Sequence, residues 1–328
     1  MPNTMTATVP PLVLDKSLDQ PYLERLNGVE VRPVFIIAPH RSGTTLLYRI
    51  LVESGSFNAV TVHHILNRHR LLQLHFTNQD QAARQELNRI FESKGIRDES
   101  MNSREFGSDV LEEYCYALDH QGRRPRLAPD NAEEFKLFSK KLQVIQDFSR
   151  PLLLKNPYDG VGFLYLAEVF PDARFVFIYR NPVDVINSKI RLNRLLLSKK
   201  FEYHAMVIQE YARLFEKPMK LAMARLVFSS RLPLMTELVF RDVSRSCDYV
   251  RENVGKLGEK AMGVTYPELC ADPTQVVRRV LEFLKLPTNS RDYSNMIRKR
   301  ESDILPEVEQ LRRRIEKRNQ AYCEAFHV

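Results

Sequence analysis

Four short runs along the chain are almost continuously apolar and rich in Val, Ile, Leu and Phe: VFIIA at 34–38, LLLK at 152–155, RFVFIY at 174–179 and AMGVTY at 261–266. Runs of this kind predict strands buried on both faces, as in a parallel sheet. Each leads into a polar or proline-bearing turn and then into a helical pattern. That alternation predicts an α/β sheet with crossover helices. Elsewhere the period lengthens. Apolar residues in QAARQELNRIFESKG and NAEEFKLFSKKLQVIQDF recur three and four positions apart, so 62–148 reads as mostly helical, and a second helical region covers about 198–258. Both are too long for simple crossovers. They are expected to cap the carboxyl edge of the sheet, where open α/β folds bind ligands, and to shape a second substrate's pocket.

The tail ILPEVEQLRRRIEKRNQAYCEAF predicts a charged amphipathic helix opened near Pro306. Residues 1–32 read as an extended lead-in with one helical turn near PYLERLNG. The expected organisation is a single domain over 1–328, with the lead-in at 1–32, a core at 33–287 and a helical tail at 288–328. With no internal repeat, solenoids and propellers are excluded.

Composition narrows the classes further. At 328 residues, with 44% hydrophobic and 27% charged residues, the chain has enough apolar material for a sizeable core, which excludes disorder. Its net charge of +8 favours anionic partners. The cations fall in short scattered clusters with no long tail, and on charge alone a nucleic acid and a phosphorylated small molecule are both open; the partner expected is a small molecule, with no nucleic acid. Cys115, Cys247, Cys270 and Cys323 are far apart without CxxC pairing, which predicts free thiols, no zinc site and a reducing compartment. The first residues show no basic stretch leading into an apolar core, and no apolar run approaches the ~20 residues that span a bilayer. A cytoplasmic protein without a transmembrane segment is expected.

The first strand is followed by the clearest chemical signal. Against the nucleotide-loop pattern GxxxxGK[ST], residues 38–45 read A-P-H-R-S-G-T-T: the spacing is kept, but Ala38 replaces the first Gly and Thr44 the Lys. The lysine of that pattern reaches the β and γ phosphates of a triphosphate, so ordinary ATP chemistry is disfavoured. The anion-binding parts remain: successive backbone N–H groups, a helix N-terminus, and hydroxyls from Ser42, Thr44 and Thr45 around Gly43. Arg41 supplies the cation, and its planar guanidinium suits a forked phosphate or sulfonate. A second group follows the third strand, where Arg180 ends the run, Pro182 fits the first turn of a helix and Ser188 lies eight residues beyond Arg180. Together these predict a bracket for a second phosphate.

Arg41 to Thr45 after a strand, combined with R-N-P-x-D-V-x-x-S from Arg180 to Ser188, resembles the sulfotransferase family that uses 3′-phosphoadenosine 5′-phosphosulfate (PAPS), in its bacterial and Golgi-type branch. Two further stretches are similar to segments of that family: GVTYPELCADPTQVVRRVLEFLKLP at 263–287 and LKNPYDGVGFLYLAEVFPDARFVFIYR at 154–180. The resemblance covers about 33–287. It implies a P-loop-like parallel sheet flanked by helices, with helical insertions forming the acceptor pocket. It also implies sulfuryl transfer from PAPS to a hydroxyl acceptor, release of PAP, and no required metal.

By the same resemblance, Arg41, Ser42, Gly43, Thr44 and Thr45 would hold the 5′-phosphosulfate, while Arg180 and Ser188 would hold the 3′-phosphate. Arg298, in IRKR, weakly resembles a segment that closes over that phosphate. Lys155 matches a K-x-P lysine that neutralises the transition state. The position of the catalytic histidine of cytosolic members falls here on Asn156 or Pro157. In other members a Glu about twenty residues beyond the loop is the base. That place falls here on TVHHILN, which offers His64 first and His63 second, since a neutral imidazole is a suitable base near pH 7. His40 is a third candidate.

For the acceptor, ARLVFSSRLPLMTELVF at 224–240 is unusually apolar and reads as a lip for a lipid-like molecule, as core, or as a contact in a homodimer. Carbohydrate, phenolic, acyl-chain and peptide acceptors stay open. The competing classes are a P-loop kinase or NTPase and a noncatalytic sulfotransferase-like binding protein.

Overall fold

The computed structural model describes residues 17–96, 98–99, 104–118, 125–229, 234–297 and 303–328. Its centre is a sheet of five parallel strands: β1 (Pro33–Ile37), β2 (Asn58–Ala59), β5 (Leu152–Lys155), β6 (Arg174–Tyr179) and β7 (Ala261–Thr265), in the order β2-β5-β1-β6-β7. A two-stranded antiparallel ribbon, β3 (Asp98–Glu99) with β4 (Arg104–Glu105), lies apart from it. All four apolar runs are strands. The two-residue β2 is too short to leave an apolar run of its own.

The helices follow in chain order. The first group is α1 (Thr44–Glu53), α2 (Val62–Leu66), α3 (Leu71–Phe76), α4 (Asp80–Ser93), α5 (Ala132–Ile145), α6 (Phe163–Val169) and α7 (Pro182–Ser198). Next come α8 (Glu202–Val207), α9 (Gln209–Phe215), α10 (Pro218–Val227), α11 (Leu234–Asn253), α12 (Tyr266–Ala271), α13 (Pro273–Phe283) and α14 (Pro306–Phe326). The stretch 62–148 also holds a non-helical passage around 106–113, and the tail helix opens at Pro306, as expected, after a mostly irregular 288–297. Among the described residues no helix is long and apolar enough to cross a membrane.

Strand periodicity sorts the core into two faces. Phe35, Ile37, Leu152, Leu154, Phe175 and Phe177 point to one, where α5, α6, α7, α11 and α14 contribute Phe135, Phe163, Ile186, Val243 and Ile315. Val34, Ile36, Leu153, Val176, Ile178 and Val264 point to the other, covered by α1 and α13 through Leu47, Leu51, Val277 and Leu281. The lead-in is tied down by a buried ion pair, Asp19 to Lys141 at 2.7 Å, with Gln73 N–H donating to the same carboxylate.

Parallel register is what positions the site. Ile36 pairs with Lys155, Ile37 with Phe177, and Tyr179 with Thr265. The residues following β5, β1, β6 and β7 therefore leave the sheet side by side at one edge. Local capping then starts the helices there: the Asn181 side chain accepts from Val183 N–H ahead of Pro182, and Thr265 with Glu268 forms a capping box on α12.

Candidate active site

The loop between β1 and α1 is wound tightly. The Ser42 hydroxyl and N–H both donate to the Pro39 carbonyl, at 2.7 and 3.2 Å. Arg41 (φ 78°) and Gly43 (φ 101°) lie in left-handed conformations, which costs on the order of 1 kcal/mol or more at the non-glycine. Left-handed residues within such a turn aim successive N–H groups into one concavity. A Cβ on Gly43 would stand 2.4 Å from the Tyr266 ring, so only glycine fits. Gly43 is also the N-cap of α1 and brings no side chain to it. The first N–H groups of that helix thus face the loop without a side-chain acceptor.

The separately placed motifs meet here. Arg41 Nε donates to Ser188 Oγ at 3.1 Å, and Arg180 Nη1 donates to the Arg41 carbonyl at 3.3 Å. The Arg180 guanidinium sits 4.1 Å above the Tyr266 ring, a cation–π contact. Its Nε is buried with no hydrogen-bond partner among the described residues; the Asp184 carboxylate stands off at 3.8 Å. A buried guanidinium N–H without an acceptor is costly, and the oxygens of an anion would satisfy it.

Lys155, at the end of β5, borders the same loop. Its ammonium donates to Thr45 Oγ1 at 2.8 Å and is ion-paired with Glu113. Glu113 arrives on a segment that runs antiparallel beside the β2–α2 connection. His63 N–H donates to Ser108 O, Val62 N–H to Val110 O, and Glu112 N–H to Val60 O, each at 2.9 Å. The neighbouring Glu112 accepts from the Tyr203 hydroxyl at 2.6 Å and from Glu113 N–H at 2.8 Å. Burial, reinforced by the adjacent Glu113 charge, pushes the Glu112 carboxyl up to about 7.

The histidines have other duties. Thr61 N–H donates to His64 Nδ1 at 3.1 Å, so His64 closes a capping box on α2 where Glu or Gln is usual. Its Nε2 has no partner among the described residues, and burial pushes the imidazole down to about 3. His63 Nε2 lies 2.7 Å from Asp80 Oδ1, and Asn67 Nδ2 lies 3.0 Å from its Nδ1. Asp80, held well below the usual carboxylate range first by the His63 hydrogen bond, also accepts from Arg84 at 2.7 Å. His40 lies in the loop, 6.2 Å from the Tyr158 ring; burial and then the nearby Lys189, Arg41 and Lys155 charges keep it neutral. Asn156 braces the turn after β5, donating to Asp159 and to the Pro125 carbonyl, each at 3.0 Å.

The structure therefore brings Arg41, Gly43, Arg180 and Ser188 together, and sets Thr45 and Lys155 beside them. His63 and His64 sit on the adjoining α2 with their rings engaged elsewhere, and Arg298 lies outside the described residues. Two contacting residues carried no sequence expectation, Tyr266 and Glu113. Tyr266 at least lies within one of the recognisable stretches; Glu113 is marked only by an acidic pair in an apolar surround. Among the described residues no group of three or more His, Cys, Asp or Glu is arranged to hold a metal ion.

Comparison with known proteins adds the family and the fold. Two mycobacterial proteins, the omega-hydroxy-beta-dihydromenaquinone-9 sulfotransferases Stf3 of Mycobacterium bovis and Mycobacterium tuberculosis, are each 24% identical over 267 residues. The match covers 77% of this chain and 63% of theirs, so it spans under two thirds of these relatives. The solved sulfotransferase STF9 from Mycobacterium avium superposes over 94% of this chain and 80% of its own, with TM-score 0.66 and 16% identity. STF1 from Mycobacterium tuberculosis gives 0.61 and 17%, over 93% and 80%. At these identities the likeness shows a shared fold. The profile of the Sulfotransferase family matches residues 33–290, the stretch that holds the sheet, the loop and every contact between Arg41, Lys155, Arg180, Ser188 and Tyr266, and the chain belongs to that family.

Proposed function

We propose that this protein transfers a sulfuryl group from PAPS to a hydroxyl acceptor by in-line displacement, releasing PAP. The observation that carries the reading is the direct contact of the two anion-binding motifs, Arg41 with Ser188 and Arg180 with the Arg41 carbonyl. A single P-loop binds one run of phosphates. Two joined cation–hydroxyl pairs, one of them with an unanswered buried guanidinium N–H, suit a nucleotide bearing anionic groups at both ends of its ribose.

The donor supplies a sulfuryl group already attached to a phosphate leaving group. The chain holds it and stabilises the charge that develops. Backbone N–H groups at Gly43, Thr44 and Thr45, with the Thr44 hydroxyl, would hold the 5′-phosphate at the α1 N-terminus, while the buried Ser42 hydroxyl, donating to the Pro39 carbonyl, braces the loop. Arg180 and Ser188 would hold the 3′-phosphate, and Arg41 would bridge both ends. Lys155, whose ammonium already touches Thr45, would lie against the bridging oxygen where negative charge appears. All these residues fall within one proposed domain, whose helical segments at 62–148 and 198–258 would form the acceptor pocket.

A lipid-like hydroxyl is the acceptor class favoured. The mycobacterial relatives are named for a menaquinone derivative, and large apolar side chains stand exposed on α10 (Met219, Met223, Leu226) and α11 (Leu234, Leu238). Calorimetry with PAP tests the donor: saturable binding without magnesium is expected, whereas magnesium-dependent ATP binding without PAP binding would make this a nucleotide kinase or NTPase instead. Radiolabelled PAPS offered with lipid alcohols, phenols and carbohydrates tests transfer. PAP binding with no transfer to any of them would leave a binding protein.

A further inference from the structure

We propose that Glu113 is the catalytic base that takes the proton of the acceptor hydroxyl, an inference that rests on the sulfuryl-transfer reading above. One of its oxygens pairs with Lys155. The other has the Cys115 thiol as a distant donor at 3.8 Å, which leaves lone pairs for a hydroxyl. Lys155 is 5% exposed and Glu113 20%. The ammonium is thus enclosed against the loop, while part of the carboxylate side chain stays reachable from solvent. Backbone pairing of 108–112 with 60–63 fixes the position.

The imidazoles are poorly placed for the same task. The bare nitrogen of His64 accepts the Thr61 N–H, so the ring would have to break its cap to take up a proton. The two nitrogens of His63 face Asp80 and the Asn67 amide. His40 lies among Lys189, Arg41 and Lys155, whose charges oppose protonation.

In the step, an acceptor oxygen lone pair forms the new O–S bond while its proton passes to Glu113. The bridging S–O bond breaks with its electron pair moving onto the 5′-phosphate oxygen beside Lys155. Glu113 then returns the proton to solvent. No oxidant or reductant is involved.

The test compares wild type with Glu113→Gln, which keeps the size of the side chain and an oxygen for Lys155 but cannot take a proton. Two probe acceptors are used with PAPS: a primary fatty alcohol, and 4-nitrophenol, whose hydroxyl ionises without help near neutral pH. Turnover of the alcohol should fall by roughly 10²–10⁴, and 4-nitrophenol turnover by about tenfold or less, since an ionised hydroxyl has no proton left for a base to remove. PAP affinity should change little, and the acid limb of the wild-type pH profile with the alcohol should vanish. Glu113→Asp, which retains a carboxylate, should recover part of the turnover and the limb.

Equal losses with both probes would assign Glu113 to holding Lys155 alone and overturn the base role. Unchanged turnover in Glu113→Gln would overturn it too. Failure of the wild type to bind PAP would remove the donor reading beneath it, and is distinguishable because it needs no variant.

Discussion

At the carboxyl ends of β1 and β6, the groups that meet all follow a strand closely in sequence: Arg41 and Gly43 after one, Arg180 and Ser188 after the other. On the far side of Lys155, Glu113 comes from a segment that follows no strand of the main sheet and is held by pairing with residues 60–63. The first group follows apolar strands and helix caps that are marked in neighbouring residues, although the strands that align it pair about 140 positions apart. The second is placed by contacts between positions about fifty apart in the chain. Lys155 touches both groups, through Thr45 and through Glu113. Donor binding and acceptor activation should therefore be separable by mutation, with Lys155 as the point where they join.

The largest effect should come at that joint. Lys155→Met removes the cation at the leaving oxygen and should lower kcat by about 10²–10³, the scale of losing one preorganised donor. PAP affinity, measured by calorimetry, should stay within several-fold. Affinity collapsing in parallel with kcat would show that the two regions do not separate. A smaller change is expected within the donor group. Arg180→Ala should raise the Kd for PAP by roughly 10- to 100-fold, the range for a hydrogen bond to a charged group, and Ser188→Ala by about fivefold. Equal effects on alcohol turnover at saturating PAPS would contradict the division.

The smallest effect concerns His64 and is read in stability. Its imidazole is held down to about 3 by burial, against about 6.5 in the unfolded chain. The folded state is then favoured above pH 6.5, and this contribution is lost as pH falls from there towards 3, because the unfolded chain takes up a proton that the folded chain refuses. The slope is at most about 1.4 kcal/mol per pH unit for one group. In urea unfolding, His64→Asn should flatten the loss between pH 6.5 and 4 relative to wild type, while sparing alcohol turnover if Glu113 is the base. A variant with an unchanged stability slope would remove the buried neutral imidazole as its source.

The legible and illegible parts of the molecule follow the same division. The four apolar runs became strands because a strand buried on both faces needs apolar residues throughout. Asn58–Ala59 escaped notice because two residues carry no period. TVHHILN stood out for its two histidines, but a histidine at the third helical position reads as chemistry in the sequence and works in the structure as a cap. Glu112 and Glu113 read as an ordinary acidic pair. Their difference, one hydrogen-bonded to Tyr203 and the other ion-paired with Lys155, exists only after the chain has folded.

The sequence by itself determined the strand runs of the sheet and the anion loop with its glycine and displaced cation, because strand burial, turn geometry and helix capping are written in neighbouring residues; the partnership of that loop with Arg180 and Ser188 was legible only through the family resemblance. Only the tertiary structure decided which carboxylate stands beside Lys155, which histidines are engaged in packing and caps, and that Tyr266 closes over Gly43 and Arg180. Those placements depend on which distant segments pair, and a pairing between residues 60 and 112 leaves no local pattern at either position.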